Sequence, residues 1–150
     1  MFKLTKKMRF ALEAVVDIAY NSRPEPVQSR EITRRQGIPQ RYLEQVMQQL
    51  VHANILKGVR GPRGGYTLAR ERRRISVGEI VQVVGEIEDS NAEDIETSSL
   101  LGAKVISPLW DTVQAEMMAR LNAITVEDLC RSALEAKVSP ESAKPADFNI

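Results

Sequence analysis

Met8, Ala11, Leu12, Val15, Val16 and Ala19 recur at helical spacing, so the chain opens with an amphipathic helix that lays one stripe on a core. Thr5 stands at the N-cap position and Pro24 ends the run. After a polar turn from Arg23 to Pro26, Ser29 can cap a short helix around Ile32. Gly37 closes that helix, being the residue type suited to a left-handed C-terminal turn. Pro39 then takes the first position of another helix, whose buried stripe is Leu43, Val46, Met47, Leu50 and Val51. Two helices joined by so short a glycine-containing turn form a helix-turn-helix.

Residues 55–68 hold two short β-prone runs around a turn dense in Gly and Pro, which reads as a hairpin. A hairpin directly after a helix-turn-helix makes a winged helix, and here its tip carries Arg60 and Arg63. Ser76 and Glu79 form a capping box for a helix burying Ile80, Val83, Val84 and Ile87. Residues 88–104 are acidic and poor in aromatics, and are expected to form a solvated loop. Ser107-Pro108 starts a helix with Leu109, Trp110, Val113, Met117, Leu121 and Ile124 along one side. A fresh cap at Thr125 and Asp128 leads to Val126, Leu129, Cys130, Ala133 and Leu134. Apolar stripes beyond an already complete domain call for a partner, and the polar ending is expected to be a frayed tail.

Charge sharpens this picture. Residues 1–75 carry 16 Lys and Arg against 6 Asp and Glu, whereas residues 76–150 carry 5 against 14, so a net charge of +1 divides into +10 and −9. A basic half of this size is the footprint of a surface that meets a polyanion. A solvated basic face, or one docked on the acidic half, is the alternative. One cysteine excludes a disulfide scaffold and a cysteine-rich metal site, and fits a reducing compartment. No apolar run approaches the roughly 20 residues a membrane span needs, and the opening MFKLTKKMRF lacks an export signal, so a cytoplasmic location is expected.

On the second helix of the helix-turn-helix, the side opposite the apolar stripe shows Gln40, Arg41, Tyr42, Glu44, Gln45, Gln48 and Gln49. Gln can match the adenine edge, Arg can fork onto guanine, and Glu can accept from the cytosine amino group. Contacts concentrate near such a helix's N-terminus, which favours Gln40, Arg41, Glu44 and Gln45 as base readers. Phosphate contacts are expected from Lys3, Thr5, Lys6, Lys7 and Arg9, from Arg30, Arg34 and Tyr42, and from Lys57 and Arg63. Arg60 or Arg63 can enter a minor groove. The bland alternative for the helix face is an ordinary polar surface.

Together, Leu4-Thr5-Lys6, Gly37-Ile38, Tyr42-Leu43-Glu44-Gln45, Val59-Arg60-Gly61-Pro62, Gly64-Gly65-Tyr66, Ile75-Ser76 and Leu109-Trp110 resemble the Rrf-two family of bacterial winged-helix transcriptional regulators, from residue 2 to about 135. The resemblance implies a homodimer joined through long C-terminal helices and reading a palindromic operator. It places base contacts at Pro39, Arg41, Glu44, Arg60 and Gly61, with Pro39 departing from the serine often found there. Cluster-binding members carry three cysteines in the segment that is here 88–106, which has none, and Ser107 stands near the fourth ligand position. The resemblance therefore implies a cluster-free member, with no cofactor, answering to a small molecule, a partner protein or thiol oxidation. Cys130 reads as a buried structural thiol on an apolar stripe, and His52 as a helix-end residue without a second ligand nearby.

The expected fold is mainly α (α+β): a winged helix-turn-helix domain over 1–87, an acidic loop over 88–104, dimerisation helices over 105–137 and a flexible tail over 138–150. The expected partners are double-stranded DNA and a second copy of the chain, with no membrane. A non-specific architectural DNA-binding protein is the alternative, weakened by the absence of an aromatic row among the basic residues. An enzyme is disfavoured, since the one histidine and one cysteine lie far apart and no phosphate-binding loop is present.

Overall fold

Helix α1, Lys6–Tyr20, is the centre of the molecule because every turn supplies an apolar residue to its inner side: Met8, Ala11, Ala14, Val15, Ile18 and Ala19 are all buried. The computed structural model describes residues 3–21, 23–89 and 99–140. The Thr5 hydroxyl caps α1, accepting from the Met8 N–H at 3.2 Å. Around α1 pack α2 (Ser29–Gln36), α3 (Gln40–His52), α4 (Val77–Asp89) and α6 (Val126–Glu135), together with a two-stranded antiparallel hairpin. Its strands are β1, Leu56–Val59, and β2, Gly65–Leu68, in the register Leu56 opposite Leu68 and Gly58 opposite Tyr66. The fold is the mainly helical winged helix that the hydrophobic pattern predicts.

Two local devices seat the wing. The Ile55 N–H donates to the Leu50 carbonyl at 3.0 Å and the Ala69 N–H to the Ile55 carbonyl at 3.0 Å, which sews the hairpin's root to the end of α3. Further along, Val27 and Tyr66 exchange backbone hydrogen bonds of 2.9 and 2.8 Å. That approach requires glycine at 65, where a Cβ would lie 2.5 Å from the Val27 carbonyl oxygen. At the other end of the domain, Val126 N–H donates to the Ile75 carbonyl and Val77 N–H to the Ile124 carbonyl, both at 2.8 Å, tying the starts of α4 and α6 together.

Several boundaries differ from those the sequence suggests. Gln28, not Ser29, precedes α2, and its N–H is satisfied by the Glu31 carboxylate at 2.8 Å, so Ser29 is the first helical residue. Gly37 does close the helix, with φ at +66°. Pro39 lies one position outside α3 with an extended backbone, its carbonyl accepting from the Leu43 N–H at 3.0 Å. Val51 is exposed because the stripe that buries Leu43, Val46, Met47 and Leu50 has rotated past it. Of the expected loop 88–104, the first two residues finish α4 and the last five are helical, with 90–98 outside the described residues.

Helix α5, Ser107–Asn122, accordingly continues a run that begins at residue 100 and passes through a π-helical turn, Gly102–Ile106. Ser107-Pro108 does not start it. The backbone of Val138, expected in a loose tail, is held: its N–H donates to the Ala133 carbonyl at 3.0 Å and its carbonyl accepts from the Tyr20 hydroxyl. The remainder of the expected tail, 141–150, lies outside the described residues.

Candidate nucleic-acid interface

Helix α3 divides cleanly into two faces. Leu43, Val46, Met47 and Leu50 are at most 1 % exposed, while Gln40, Arg41, Glu44, Gln45 and Gln48 all face outward. Burial of the first set fixes the rotation of the helix, and therefore which side chains it offers. Gln49, grouped with the polar face by spacing, is only half exposed. Within the outward set, the Gln40 amide donates to the Glu44 carboxylate at 3.2 Å. Tyr42 also faces outward, and its ring leans on Phe10 of α1 with centroids 5.9 Å apart, which braces the first turn of α3.

The angle between α1 and α2 is set by a buried charge. Asp17 has a fully buried side chain, and Arg35 of α2 grips it with two hydrogen bonds of 2.8 and 2.7 Å while Gln36 adds a third of 2.8 Å. Such a bidentate pair costs desolvation but permits one geometry. Beside it, Arg23 donates to Glu31 at 2.6 Å. Burial alone would raise the Glu31 pKa, yet the Arg23 hydrogen bond, the Gln28 N–H and the nearby Arg35 outweigh it and hold the carboxyl below its ordinary value.

Arg30 and Arg34 of α2 and Arg63 of the wing line one open groove together with Arg23. Three arginines singled out by sequence thus meet, and Arg23 joins them. In the sequence Arg23 is one residue of a polar turn, and only its place just ahead of α2 marks it. Arg30 is steadied by Gln28 at 2.7 Å. Around α1, Lys3, Lys6 and Arg9 are exposed and Lys7 is half-buried. Arg9 pairs with Glu13 at 3.1 Å, and the Thr5 oxygen is occupied as a helix cap. Lys57, Arg60 and Gly61 are exposed along the hairpin, where Gly61 adopts φ +113°, a conformation that favours glycine. Asp17 and Phe10 went unnoticed in the sequence, although a carboxylate flanked by Val16 and Ile18 on a core helix signals a buried partner.

The dimerisation residues expected on α5 divide. Leu109 and Trp110 are exposed, whereas Leu121 and Ile124 pack on a small cluster of Met8, Val77 and Val81, and Val113 and Met117 are half-buried. Upstream in the same run, Leu100, Leu101, Val105 and Ile106 are exposed.

Cysteine-ligated iron does not fit this chain. Its one cysteine, Cys130, is buried in α6, where burial pushes the thiol above its ordinary pKa despite the opposing effect of Arg72. His52 is exposed at the end of α3, and among the described residues no three His, Cys, Asp or Glu side chains come together as a metal site. No described helix is long and apolar enough to cross a membrane.

Known proteins share this fold. Residues 4–132 match the model of the Rrf2 family, described as an iron-dependent transcriptional regulator. The transcriptional regulator IscR of Klebsiella pneumoniae (strain 342) is 36% identical over 128 residues, covering 85% of this chain and 78% of its own. Among solved structures, IscR of T. potens superposes with a TM-score of 0.73 at 33% identity, covering 92% of this chain and 93% of that one. CymR, the global cysteine regulator of B. subtilis, superposes with a TM-score of 0.70 at 28% identity, covering 88% of this chain and 98% of that one.

Proposed function

The chain belongs to the Rrf2 family of DNA-binding transcriptional regulators and is not an enzyme, and from that premise we propose that it acts as a cytoplasmic homodimeric repressor on a palindromic operator, without an iron–sulfur cluster. The observation that carries the reading is the one-sided burial of α3: a rigidly seated helix presents Gln40, Arg41, Glu44 and Gln45 outward. In this reading Arg41, Glu44 and Gln45 meet base edges in the major groove, with Gln40 lying against Glu44. Arg60 and Gly61 reach the neighbouring groove, and the arginines of the α2–wing groove, with Lys3, Lys6, Lys7 and Arg9, hold phosphates. Thr5, Tyr42 and Lys57 complete the backbone contacts.

The exposed apolar residues of the run 100–122 support dimerisation through that helix. Two-fold symmetry then sets operator half-sites about one helical turn, roughly 10 base pairs, apart. The buried, protonated Cys130 favours a small molecule or partner protein over thiol oxidation as the signal. Selection of bound duplexes from a randomised pool at about physiological salt tests the reading. One enriched palindrome is the expected result. Binding without enrichment that vanishes as salt rises would favour an architectural protein, and iron with sulfide in the purified protein would overturn the cluster-free assignment.

A further inference from the structure

We propose that Gln40 is a positioning residue for Glu44, holding its carboxylate aimed so that Glu44 rejects bases lacking an amino group at that position. The inference rests on the reading of α3 as the helix that enters the groove. Gln40 and Glu44 are one helical turn apart on the outward face, and the Gln40 amide donates to Glu44 Oε1 at 3.2 Å. Glu44 Oε2 has no partner among the described residues. Gln40 is the first residue of α3, directly after Pro39 with its extended backbone at φ −59°.

A carboxylate can only accept hydrogen bonds. In the major groove it is satisfied by an amino group, N4 of cytosine or N6 of adenine, and repelled by O6 and N7 of guanine or O4 of thymine. A glutamate free to rotate can swing away from an unfavourable base and lessen that repulsion. One tethered by Gln40 does so less readily, so the tether sharpens discrimination more than it raises affinity for the preferred site. Preorganisation also spares part of the side-chain entropy otherwise lost on binding.

The test measures affinities for the preferred operator and for single-base variants at the position that Glu44→Ala relaxes, using the full-length wild type, Gln40→Met, Glu44→Ala and the double variant. Methionine keeps length and helix propensity while removing the donor. Gln40→Met is expected to lower discrimination at that one position about twofold, the scale of an i,i+4 side-chain hydrogen bond on a helix. Preference at the position read by Arg41 and the thermal midpoint should stay unchanged, and Gln40→Met should have no effect in the Glu44→Ala background. Unchanged discrimination in Gln40→Met, or an equal loss with and without Glu44, would overturn the proposal, the latter by making Gln40 a base reader in its own right. If Glu44→Ala relaxes no position while operator binding persists, the assignment of Glu44 falls and this inference with it; absence of any preferred duplex would instead remove the reading of α3 itself.

Discussion

Helices α3 and α5 both carry a row of apolar residues and end in different surroundings, the row of α3 buried through Leu50 and that of α5 packed on the chain's own core only toward its far end, where Leu121 meets Met8, Val77 and Val81. In α3 the stripe is covered by the chain's own α1, α4 and hairpin, with Leu43, Met47 and Leu50 at 0 % exposure. In α5 no residue is buried, and Leu109 and Trp110 remain 56 % and 46 % exposed. A stripe therefore says that burial will occur, but not whether the cover comes from the same chain. The difference separates two roles, since a helix seated internally can present a fixed polar face, whereas one with exposed apolar residues, as at Leu109 and Trp110, is the contact proposed for a second copy.

The largest effect should come from the seated helix. Leu50→Ala leaves a cavity beneath α3 and is expected to cost about 2–5 kcal/mol of folding stability. Denaturant unfolding should show that loss at every protein concentration. Leu109→Asp, on the uncovered helix, should leave unfolding of the dissociated chain nearly unchanged yet weaken self-association at least tenfold, because an interface would have to bury a carboxylate. Sedimentation equilibrium reads the second effect. A loss of stability in dissociated Leu109→Asp matching that of Leu50→Ala would mean that α5 is covered by its own chain.

Within the basic half, a smaller pair of changes separates reading from holding. Arg41→Ala should cost about 1–3 kcal/mol on the preferred operator and relax preference at one position. Lys7→Ala should weaken all sequences alike and lower the salt slope by about one. Titrations against operator and random duplexes over a range of salt distinguish the two, and equal losses on both DNAs for both variants would erase the distinction.

The same contrast explains what could be read from the chain alone. Local, short-range signals carried the winged helix: Thr5, Gly37, the Ser76–Glu79 box and the glycine-rich hairpin each act within a few residues of their own position. The outward face of α3 followed from its period. What was missed depends on distant partners, as with Asp17 meeting Arg35 eighteen residues on, or Arg23 joining Arg63 across a groove. The start of the long helix differs because Ser-Pro, a sound initiation signal, falls here in the first turn of α5 directly after the π-helical turn Gly102–Ile106, and the helical run continues upstream through that turn. Gly102, near the end of the segment expected to be a loop, is buried within the π-helical turn instead.

The smallest expected effect concerns how the two regions respond to acid. The winged-helix part holds carboxylates that are stabilised as anions: Glu31 by Arg23 and the Gln28 N–H, and Glu79 by the Ser76 N–H and Arg70 at 3.0 Å, each lowered below its ordinary value against the opposing effect of burial. Among the described residues no ion pair involves the run 100–122. A carboxyl whose folded pKa is depressed contributes stability that is present above its unfolded value and lost as pH falls through the folded one. Folding stability should thus be flat above the ordinary glutamate value near 4.5 as far as these groups are concerned, and decline below it. Glu31→Gln removes one such contribution, so the variant should be less stable than the wild type at neutral pH, with the gap narrowing as acid protonates the wild-type carboxyl. Denaturant midpoints at intervals from neutrality to about pH 3 measure this. A gap that stayed constant with pH would mean that Glu31 acts through packing rather than charge.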